Sequence, residues 1–295
     1  MQESSYSNGL LAGQTYRSIS VDGVRTSYLE AGLAHKAAKP TVLLLHSGEF
    51  GGCAESSWNK NILSLAQDRH VLAPDLLGFG DTDKIFDFSG QFDRRIQHLR
   101  RFIEIMDVSA VHLIGSSMSG GLSLAVAARE KPDWPIVSVL CCSGAGAAPD
   151  NEARAVLNSY DGSLEHMRLI VRAMFYDPAW ADDEVFVRRR WEWSRRPGAW
   201  EATAAARFKP PFLIGVPAKR ERDSINYSLI KVPVLLCVGR HDQLRVPGYT
   251  DAFLPEIPNG RLHTFENAGH LANIECHDEF NQVAGKFLNS VDDAA

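Results

Sequence analysis

A serine lies at the junction between an apolar run and a run of small residues. The run at 111–115 has the composition of a buried strand, and Ser116, Ser117 and further small residues follow it. A strand that turns abruptly into a helix holds the residue at the bend in a strained backbone conformation, which requires small neighbours. The bend residue would be Ser117, with its hydroxyl above the sheet edge and the N–H groups of a helix beside it. Ser117 is therefore the candidate nucleophile, although Ser119 stands where the G-x-S-x-G pattern has its second glycine.

Two further side chains could activate this serine. A serine hydroxyl becomes nucleophilic when a base takes its proton, and a third group must hold that base in the correct tautomer. Asp242 follows the apolar run 233–239, and His270 follows the run 262–267. Both loops would open at the carboxyl edge of a parallel sheet, where Ser117 also lies. The chain order serine, aspartate, histidine is the one expected for such a triad on an open α/β sheet.

Asp150 and His241 are the alternatives to this acid and this base. Asp150 lies in the loop after the apolar run 136–142, farther from its strand end than Asp242 is from its own. The side chains of His241 and Asp242 are neighbours in sequence and would diverge in an extended loop. We therefore expect Asp242 and His270 to complete the triad.

An oxyanion hole requires two backbone N–H groups near the nucleophile. The first would come from Met118, which follows Ser117, and the second from the glycine-rich loop 46–52, with Gly48 as the candidate. Glu49 is the next residue, and its carboxylate would oppose a developing negative charge unless it points away. The sequence leaves the role of Glu49 open.

Length, charge and cysteine content restrict the class of protein. A chain of 295 residues can bury one large core, and from its formal net charge of −5 we expect neither a nucleic-acid partner nor a membrane partner. The 5 cysteines show no C-x-x-C spacing, the first residues lack the features of a signal peptide, and no apolar stretch reaches the roughly 20 residues of a membrane span. We expect a reduced, cytoplasmic protein that uses no metal or cofactor and acts on a small molecule with water. A homo-oligomer is compatible with the sequence.

Short apolar runs alternate with helical patterns, which predicts β-α-β units and a mostly parallel sheet. Apolar stripes at helical spacing predict one helix over 92–106 and a last helix over 280–287. The predicted strands are 16–21, 24–30, 41–46, 70–75, 111–115, 136–142, 232–239 and 261–265.

The pattern changes between about residues 148 and 230. Aromatic and arginine residues become dense there, strand patterns disappear, and Pro210 and Pro211 interrupt a helical run. We therefore expect a core domain made of residues 1–147 and 231–295, with a helical cap inserted at 148–230.

Several segments of the chain carry a family resemblance. They are LLLHSG, APDLLGFGDTDK, IGSSMSGG, VGRHD and NAGH in the core, and VRAMFYDPAWADDEVFVRRRWE in the cap. With these motifs in their usual order, the chain resembles the α/β-hydrolase superfamily, and within it the meta-cleavage-product hydrolases. The resemblance implies a mostly parallel, eight-stranded sheet with helices on both faces and an inserted cap. It also implies hydrolysis of a carbon–carbon bond in a ring-opened aromatic or diketone-type substrate, with His270 assisting a dienol to tautomerise before cleavage.

The resemblance further implies residues that contact the substrate. The family's cap arginine before an aromatic residue corresponds to Arg190 before Trp191. Because consecutive helical residues are about 100° apart, at most one arginine of the run 188–190 faces the cleft squarely. Phe186 and Trp193 lie at helical spacing from Arg190, which favours an inward Arg190 in an aromatic pocket.

The chain departs from the family pattern at four positions. It has serine where the family has glycine at Ser47 and Ser119, Ser116 in place of asparagine, and Leu271 in place of tryptophan. Ser47, Ser116 and Leu271 are therefore expected at the substrate pocket. These differences leave open a carboxylesterase or a lactonase. A non-catalytic ligand-binding protein on the same fold is the alternative from another class.

Overall fold

The computed structural model describes residues 13–88, 91–205 and 225–294, which contain one sheet of eight strands. The strands are β1 Thr15–Val21, β2 Val24–Ala31, β3 Thr41–Leu45, β4 Val71–Pro74, β5 Val111–Ser116, β6 Ile136–Cys142, β7 Val234–Gly239 and β8 Gly260–Phe265. They lie in the order β1-β2-β4-β3-β5-β6-β7-β8. The pairs β1–β2 and β2–β4 are antiparallel, and all other neighbours are parallel.

The predicted mostly parallel, eight-stranded sheet is confirmed, and each strand lies within two residues of its predicted bounds. Every residue of β3, β4 and β5 is buried, as expected for strands that are covered on both faces. β1 and β2 form a hairpin across Asp22 and Gly23, whose φ angles of 48° and 85° suit a two-residue turn that matches the twist of the strands.

The described residues also form eleven α-helices. The helices are α1 Ala54–Trp58, α2 Ile62–Leu65, α3 Gln91–Ile105, α4 Met118–Ala127, α5 Glu152–Asn158, α6 Leu164–Met174, α7 Ala179–Asp182, α8 Glu184–Ser194, α9 Ala199–Ala205, α10 Ala272–Glu275 and α11 His277–Asp292. The two helices predicted from apolar stripes correspond to α3 and α11.

Helices cover both faces of the sheet, because successive strand residues point to opposite sides. Leu43 and Leu113 belong to a core that contains residues of α3 and α4. Leu44 and Ile114, the next residue in each strand, belong to a second core with residues of α1, α2 and α11. The predicted helices on both faces are thereby confirmed.

Helices α5 to α9 lie between β6 and β7, in the segment predicted as a cap. They share a third core, in which Met167 and Val187 of the cap are buried in the same cluster as Phe50 and Leu271 of the core loops. The cap therefore packs on the carboxyl edge of the sheet. Residues 206–224, which include Pro210 and Pro211, lie outside the described residues, so the boundaries of the predicted cap stay a prediction.

The loops after β7 and β8 touch each other through their backbones. A Cβ on Gly239 would lie 1.9 Å from the carbonyl oxygen of Gly269 and 2.6 Å from that of Ala268. The N–H of His241 donates to the carbonyl of Ala268 at 3.0 Å. Only a glycine at position 239 permits this approach, and the two loops are therefore held at a fixed separation.

We expect Gly239→Ala to destabilise the protein, because the added methyl group meets backbone that cannot rotate away. The expected loss is about 1–3 kcal/mol in the free energy of unfolding, as for an overpacked core. Urea unfolding followed by far-UV circular dichroism measures it.

Gly285→Ala is the matched control, since Gly285 lies inside α11 and a Cβ there meets nothing within 4 Å. It should stabilise the protein by up to about 1 kcal/mol, through the better helix propensity of alanine. Equal effects of the two substitutions would show that the contact at Gly239 is unimportant.

Candidate active site

Ser117 forms the sharp turn between β5 and α4. Its φ of 52° and ψ of −109° lie outside the regions that residues with a side chain ordinarily adopt. Its N–H donates to the carbonyl of Cys142 at the end of β6, at 2.7 Å, and its carbonyl accepts from the N–H of Gly121 in the first turn of α4, at 3.2 Å. The strained residue is thus fixed to a neighbouring strand and to a helix.

Small residues are required on both sides of this turn. A Cβ on Gly115 would lie 2.4 Å from the carbonyl oxygen of Ser119, and one on Gly120 would lie 2.8 Å from the Sγ of Cys141. Ser119 is accommodated because its hydroxyl donates to the carbonyl of His46 at 2.5 Å. The departure from the usual glycine pattern therefore adds a bond between α4 and the loop after β3.

The three side chains predicted to form a triad are hydrogen-bonded in series. His270 Nε2 lies 2.7 Å from Ser117 Oγ, and His270 Nδ1 lies 2.8 Å from Asp242 Oδ2. An ionised carboxylate only accepts hydrogen bonds, so Nδ1 carries the proton and Nε2 is free to accept from the serine hydroxyl. The arrangement can transfer the serine proton to the imidazole.

Asp242 is held in its ionised form by its surroundings. Burial by itself would raise the pKa of this carboxyl, but the His270 ring beside it and the N–H of Leu244 outweigh that effect and lower the pKa. The Leu244 N–H donates to Asp242 Oδ1 at 2.8 Å, so both carboxylate oxygens have a partner.

The two alternative residues do not join this series. Asp150 is exposed to solvent. The His241 ring stacks on Tyr176 of the cap, with ring centroids 3.8 Å apart and planes at 10°. His241 therefore contacts the cap rather than Asp242.

The cap also holds the loop that carries His270, a contact that the sequence analysis missed. The N–H of His270 donates to the carbonyl of Met174 at the end of α6, at 2.7 Å. The carboxylate of Glu275 accepts from the N–H of Gly269 and from that of Asp177, both at 2.7 Å. One acidic side chain therefore connects the cap to the residue before His270.

Gly48 and Met118, the candidate oxyanion-hole residues, lie side by side. A Cβ on Gly48 would lie 2.6 Å from the Sδ of Met118 and 3.1 Å from its Cβ. The loop after β3 therefore contacts the first residue of α4, and the service of both N–H groups to one oxygen atom stays a prediction.

His46 lies at the start of this loop, and its imidazole ring is uncharged. The N–H of Leu76 donates to His46 Nε2 at 3.0 Å, so the ring proton lies on Nδ1, which is 2.6 Å from the carbonyl oxygen of Ser47. Complete burial lowers the pKa of His46 to about 4.

Glu49 is paired with the cap arginine that the sequence analysis singled out. Both side chains are buried, and Arg190 Nη2 donates to Glu49 Oε1. Burial alone would raise the pKa of Glu49, but the charge of Arg190 outweighs it and lowers the pKa. The negative charge next to Gly48 is thus compensated, which answers the question that the sequence left open.

The other arginines of the run contact different partners. Arg188 pairs with Glu184 at the surface, and Arg189 Nε lies 3.4 Å from the buried Glu55. Arg190 is buried, and its guanidinium carbon lies 5.6 Å from the ring centre of Phe186; that it faces the substrate cleft stays a prediction.

Trp191 and Trp193 have hydrogen-bond partners within the protein. The indole N–H of Trp191 donates to the carbonyl of Gly162 at 3.0 Å, and that of Trp193 donates to Glu55 at 2.8 Å. The guanidinium groups of Arg189 and Arg196 lie over the Trp193 ring. Of the two aromatic residues expected beside Arg190, Phe186 is the one that lies against its guanidinium group.

The remaining predicted pocket residues, Ser47, Ser116 and Leu271, are fully buried. Ser116 ends β5, and Leu271 follows His270 directly and packs in the core shared with the cap. Their contact with a substrate stays a prediction.

Neither a metal site nor a membrane-spanning helix is found in the part of the chain that the structure describes. No three histidine, cysteine, aspartate or glutamate side chains converge there in a way that would hold a metal ion. None of the described helices has the length and apolar character needed to cross a bilayer.

Comparison with known proteins identifies the relatives of the chain. The sequence model of the alpha/beta hydrolase family matches residues 42–283. The 2-hydroxymuconate semialdehyde hydrolase of Pseudomonas sp. (strain CF600) is 30% identical over 287 residues, which cover 95% of each chain. The 2-hydroxy-6-oxo-6-(2'-aminophenyl)hexa-2,4-dienoic acid hydrolase of Metapseudomonas resinovorans is 29% identical over 92% of this chain and 90% of its own.

A solved structure shares the fold over the same extent. The meta-cleavage product hydrolase of Pseudomonas fluorescens IP01 has a TM-score of 0.78 and 26% identity, over 93% of this chain and 97% of its own. Sequence and structure agree, and the chain therefore belongs to the alpha/beta hydrolase family, in which it is similar to the meta-cleavage-product hydrolases.

Proposed function

We propose that the chain is a serine-dependent hydrolase that cleaves a carbon–carbon bond next to a carbonyl group, in a ring-opened aromatic or other diketone-type substrate. The series of hydrogen bonds from Asp242 through His270 to Ser117 carries the proposal. The contact of Gly48 with Met118, the residue after Ser117, supports the proposed oxyanion hole that acyl transfer requires. Relatives named as semialdehyde and dienoic acid hydrolases support the type of bond.

In the proposed reaction, Ser117 attacks the carbonyl carbon while His270 takes its hydroxyl proton, or His270 activates a water molecule that attacks instead. Asp242 keeps the imidazole in the required tautomer and stabilises its protonated form. The N–H groups of Gly48 and Met118 stabilise the oxyanion. His270 then gives the proton to the departing carbon. In the serine route, water hydrolyses the acyl-enzyme, and in both routes the products are a carboxylic acid and a compound with a new C–H bond.

A carbon leaving group restricts the substrate. Its electron pair must be delocalised into a second carbonyl group, because an isolated carbanion is too unstable to depart. A dienol provides that carbonyl only after conversion to its ketone, and His270 is proposed to move the proton concerned. A diketone provides it directly.

We also propose the substrate contacts, which are Ser47, Ser116, Arg190, Trp191, Trp193 and Leu271. Trp191 and Trp193 would act through shape rather than through hydrogen bonds, because their indole N–H groups already have partners. Leu271 provides an apolar surface next to His270.

A second candidate function is hydrolysis of an ester or a lactone. The pairing of Arg190 with Glu49 favours it, since the cation that would recognise an acidic substrate is already neutralised. Leu271, in place of an aromatic side chain, also changes the shape of the pocket.

Ser117→Ala should abolish covalent labelling by a fluorophosphonate probe and lower kcat by roughly 10³ to 10⁶, as expected for loss of a nucleophile. Labelling is followed by intact-protein mass spectrometry. Ser143→Ala is the control, because Ser143 is another buried serine and follows directly after β6, and it should leave labelling intact. An unlabelled wild-type protein would favour the non-catalytic alternative.

A substrate panel separates the two candidate reactions. We expect kcat/KM for ring-opened dienoates or neutral vinylogous diketones to exceed that for p-nitrophenyl esters of any chain length. Loss of absorbance of the conjugated substrate and release of nitrophenolate provide the rates. Rapid ester turnover without cleavage of either carbon–carbon substrate would instead identify an esterase.

Glu275→Gln should lower kcat more than it changes KM, because the amide replaces one acceptor oxygen with an NH₂ group that faces a backbone N–H donor. We expect kcat to fall roughly 10-fold to 100-fold, because one buried N–H donor is left without an acceptor and His270 is positioned less accurately. Steady-state kinetics and the rate of probe labelling should fall together. Glu279→Gln, which alters an exposed pair with His263, is the control and should leave both unchanged.

A further inference from the structure

The guanidinium group of Arg190 has unused hydrogen-bond donors. Its Nη2 is bonded to Glu49, but neither Nε nor Nη1 has a partner among the residues that the structure describes. The side chain is only 1% exposed. Buried donors in proteins are nearly always bonded, so these two nitrogens are suited to an acceptor that arrives with a ligand.

The charge of this donor group is already balanced. Glu49 is as deeply buried as its partner, with 4% of its side chain exposed. A second carboxylate on Arg190 would place two like charges in one buried site, which is unfavourable. A neutral oxygen, such as that of a ketone, an amide or an ester, accepts the same hydrogen bonds without adding charge.

The acidic member of the pair, Glu49, belongs to the loop next to Ser117, the proposed nucleophile. Glu49 follows Gly48, and Gly48 lies against Met118, the residue after Ser117. The backbone of α8 contacts the same loop, since a Cβ on Gly51 would lie 2.3 Å from the carbonyl oxygen of Arg190. A ligand bonded to Arg190 is therefore recognised next to the loop that is proposed to stabilise the oxyanion.

We propose that Glu49 is a specificity-determining residue, which balances Arg190 and thereby selects substrates that offer it a neutral carbonyl oxygen rather than a carboxylate. The kinetic test of this inference rests on the proposed function, because kcat/KM can be measured only if the chain cleaves the substrate. It narrows the substrate class to diketones, ketoamides and ketoesters that are uncharged at the end bound by Arg190.

Two matched substrates test the proposal. They share the same cleavable diketone unit and differ only in a carboxamide or a carboxylate at the end distant from the cleaved bond. The wild-type enzyme should show a kcat/KM for the carboxamide that is about tenfold to a hundredfold higher, the usual effect of one hydrogen bond to a charged group. A wild-type preference for the carboxylate overturns the proposal.

Glu49→Gln removes the balancing charge and keeps the volume of the side chain. The preference should move towards the carboxylate by about tenfold or more, because Arg190 is then an unpaired buried cation. A pair that only holds the cap on the loop would instead lower kcat/KM for both substrates by the same factor. Equal losses would therefore overturn the proposal.

Glu55→Gln is the matched control. Glu55 is also a buried carboxylate at the boundary between core and cap, and it contacts Arg189 and Trp193. Its substitution should change kcat/KM for both substrates equally. A change in preference as large as that of Glu49→Gln would show that the effect is not specific to Arg190, and would contradict the proposal.

A double variant covers the case in which Glu49→Gln does not fold. Glu49→Gln with Arg190→Gln leaves no charge at the site, and the preference for the carboxamide should be retained. A double variant that prefers the carboxylate would show that the charges of Glu49 and Arg190 do not set the preference, and would contradict the proposal.

Binding to Ser117→Ala separates this proposal from the proposed function. Calorimetric titration with the two substrates requires no turnover, so the Kd ratio reports on Glu49 even if the chain cleaves neither compound. Tighter binding of the carboxamide supports the proposal, and equal or weaker binding overturns it. Failure of Ser117 to react with the fluorophosphonate probe would count against the proposed function alone.

Discussion

The positive φ of Ser117 is the constraint on which the rest of the site depends. A residue with a side chain adopts such a conformation at a cost of about 1–3 kcal/mol, and it persists only where the surrounding structure enforces it. Here β6 holds the N–H of Ser117 through Cys142, and α4 holds its carbonyl through Gly121. Ser117, the proposed nucleophile, is therefore placed by the sheet and the helix, and Asp242 and His270 must reach a point that is already fixed.

Asp242 and His270 reach that point because their strands are adjacent and parallel. β7 and β8 are paired along their length, so their loops leave the sheet together, and the backbone contact at Gly239 sets the distance between the loops. The cap also contacts the His270 loop. The carbonyl of Met174 bonds to that loop directly, and the carboxylate of Glu275 bonds to both the loop and the cap. The cap is thus one of the supports of His270, the proposed base.

How much of this structure the sequence predicts depends on whether a feature arises from neighbouring residues or from residues far apart in the chain. The strands, the turn at Ser117 and the placement of Asp242 and His270 after β7 and β8 follow from local patterns, because a strand end identifies where its loop must lie. The partner of Arg190 does not follow, because Glu49 is 141 residues away and the contact depends on how the cap docks. Glu275 was missed for the same reason: nothing in its neighbourhood in sequence indicates that its two oxygens serve two separate segments.

Two consecutive arginines in α8 connect the position of the cap on the core to the charges near the site. Arg189 and Arg190 diverge by about 100° on the helix, and each meets a buried carboxylate of the core, Glu55 and Glu49 respectively. A buried ion pair adds little net stability, because desolvation offsets its attraction, but a cap docked in another register would leave the buried carboxylates of Glu49 and Glu55 without these partners at a much greater cost. The pairs therefore select one position of the cap. Since Glu49 lies next to Gly48, the contact that selects that position also sets the charge beside the proposed oxyanion hole.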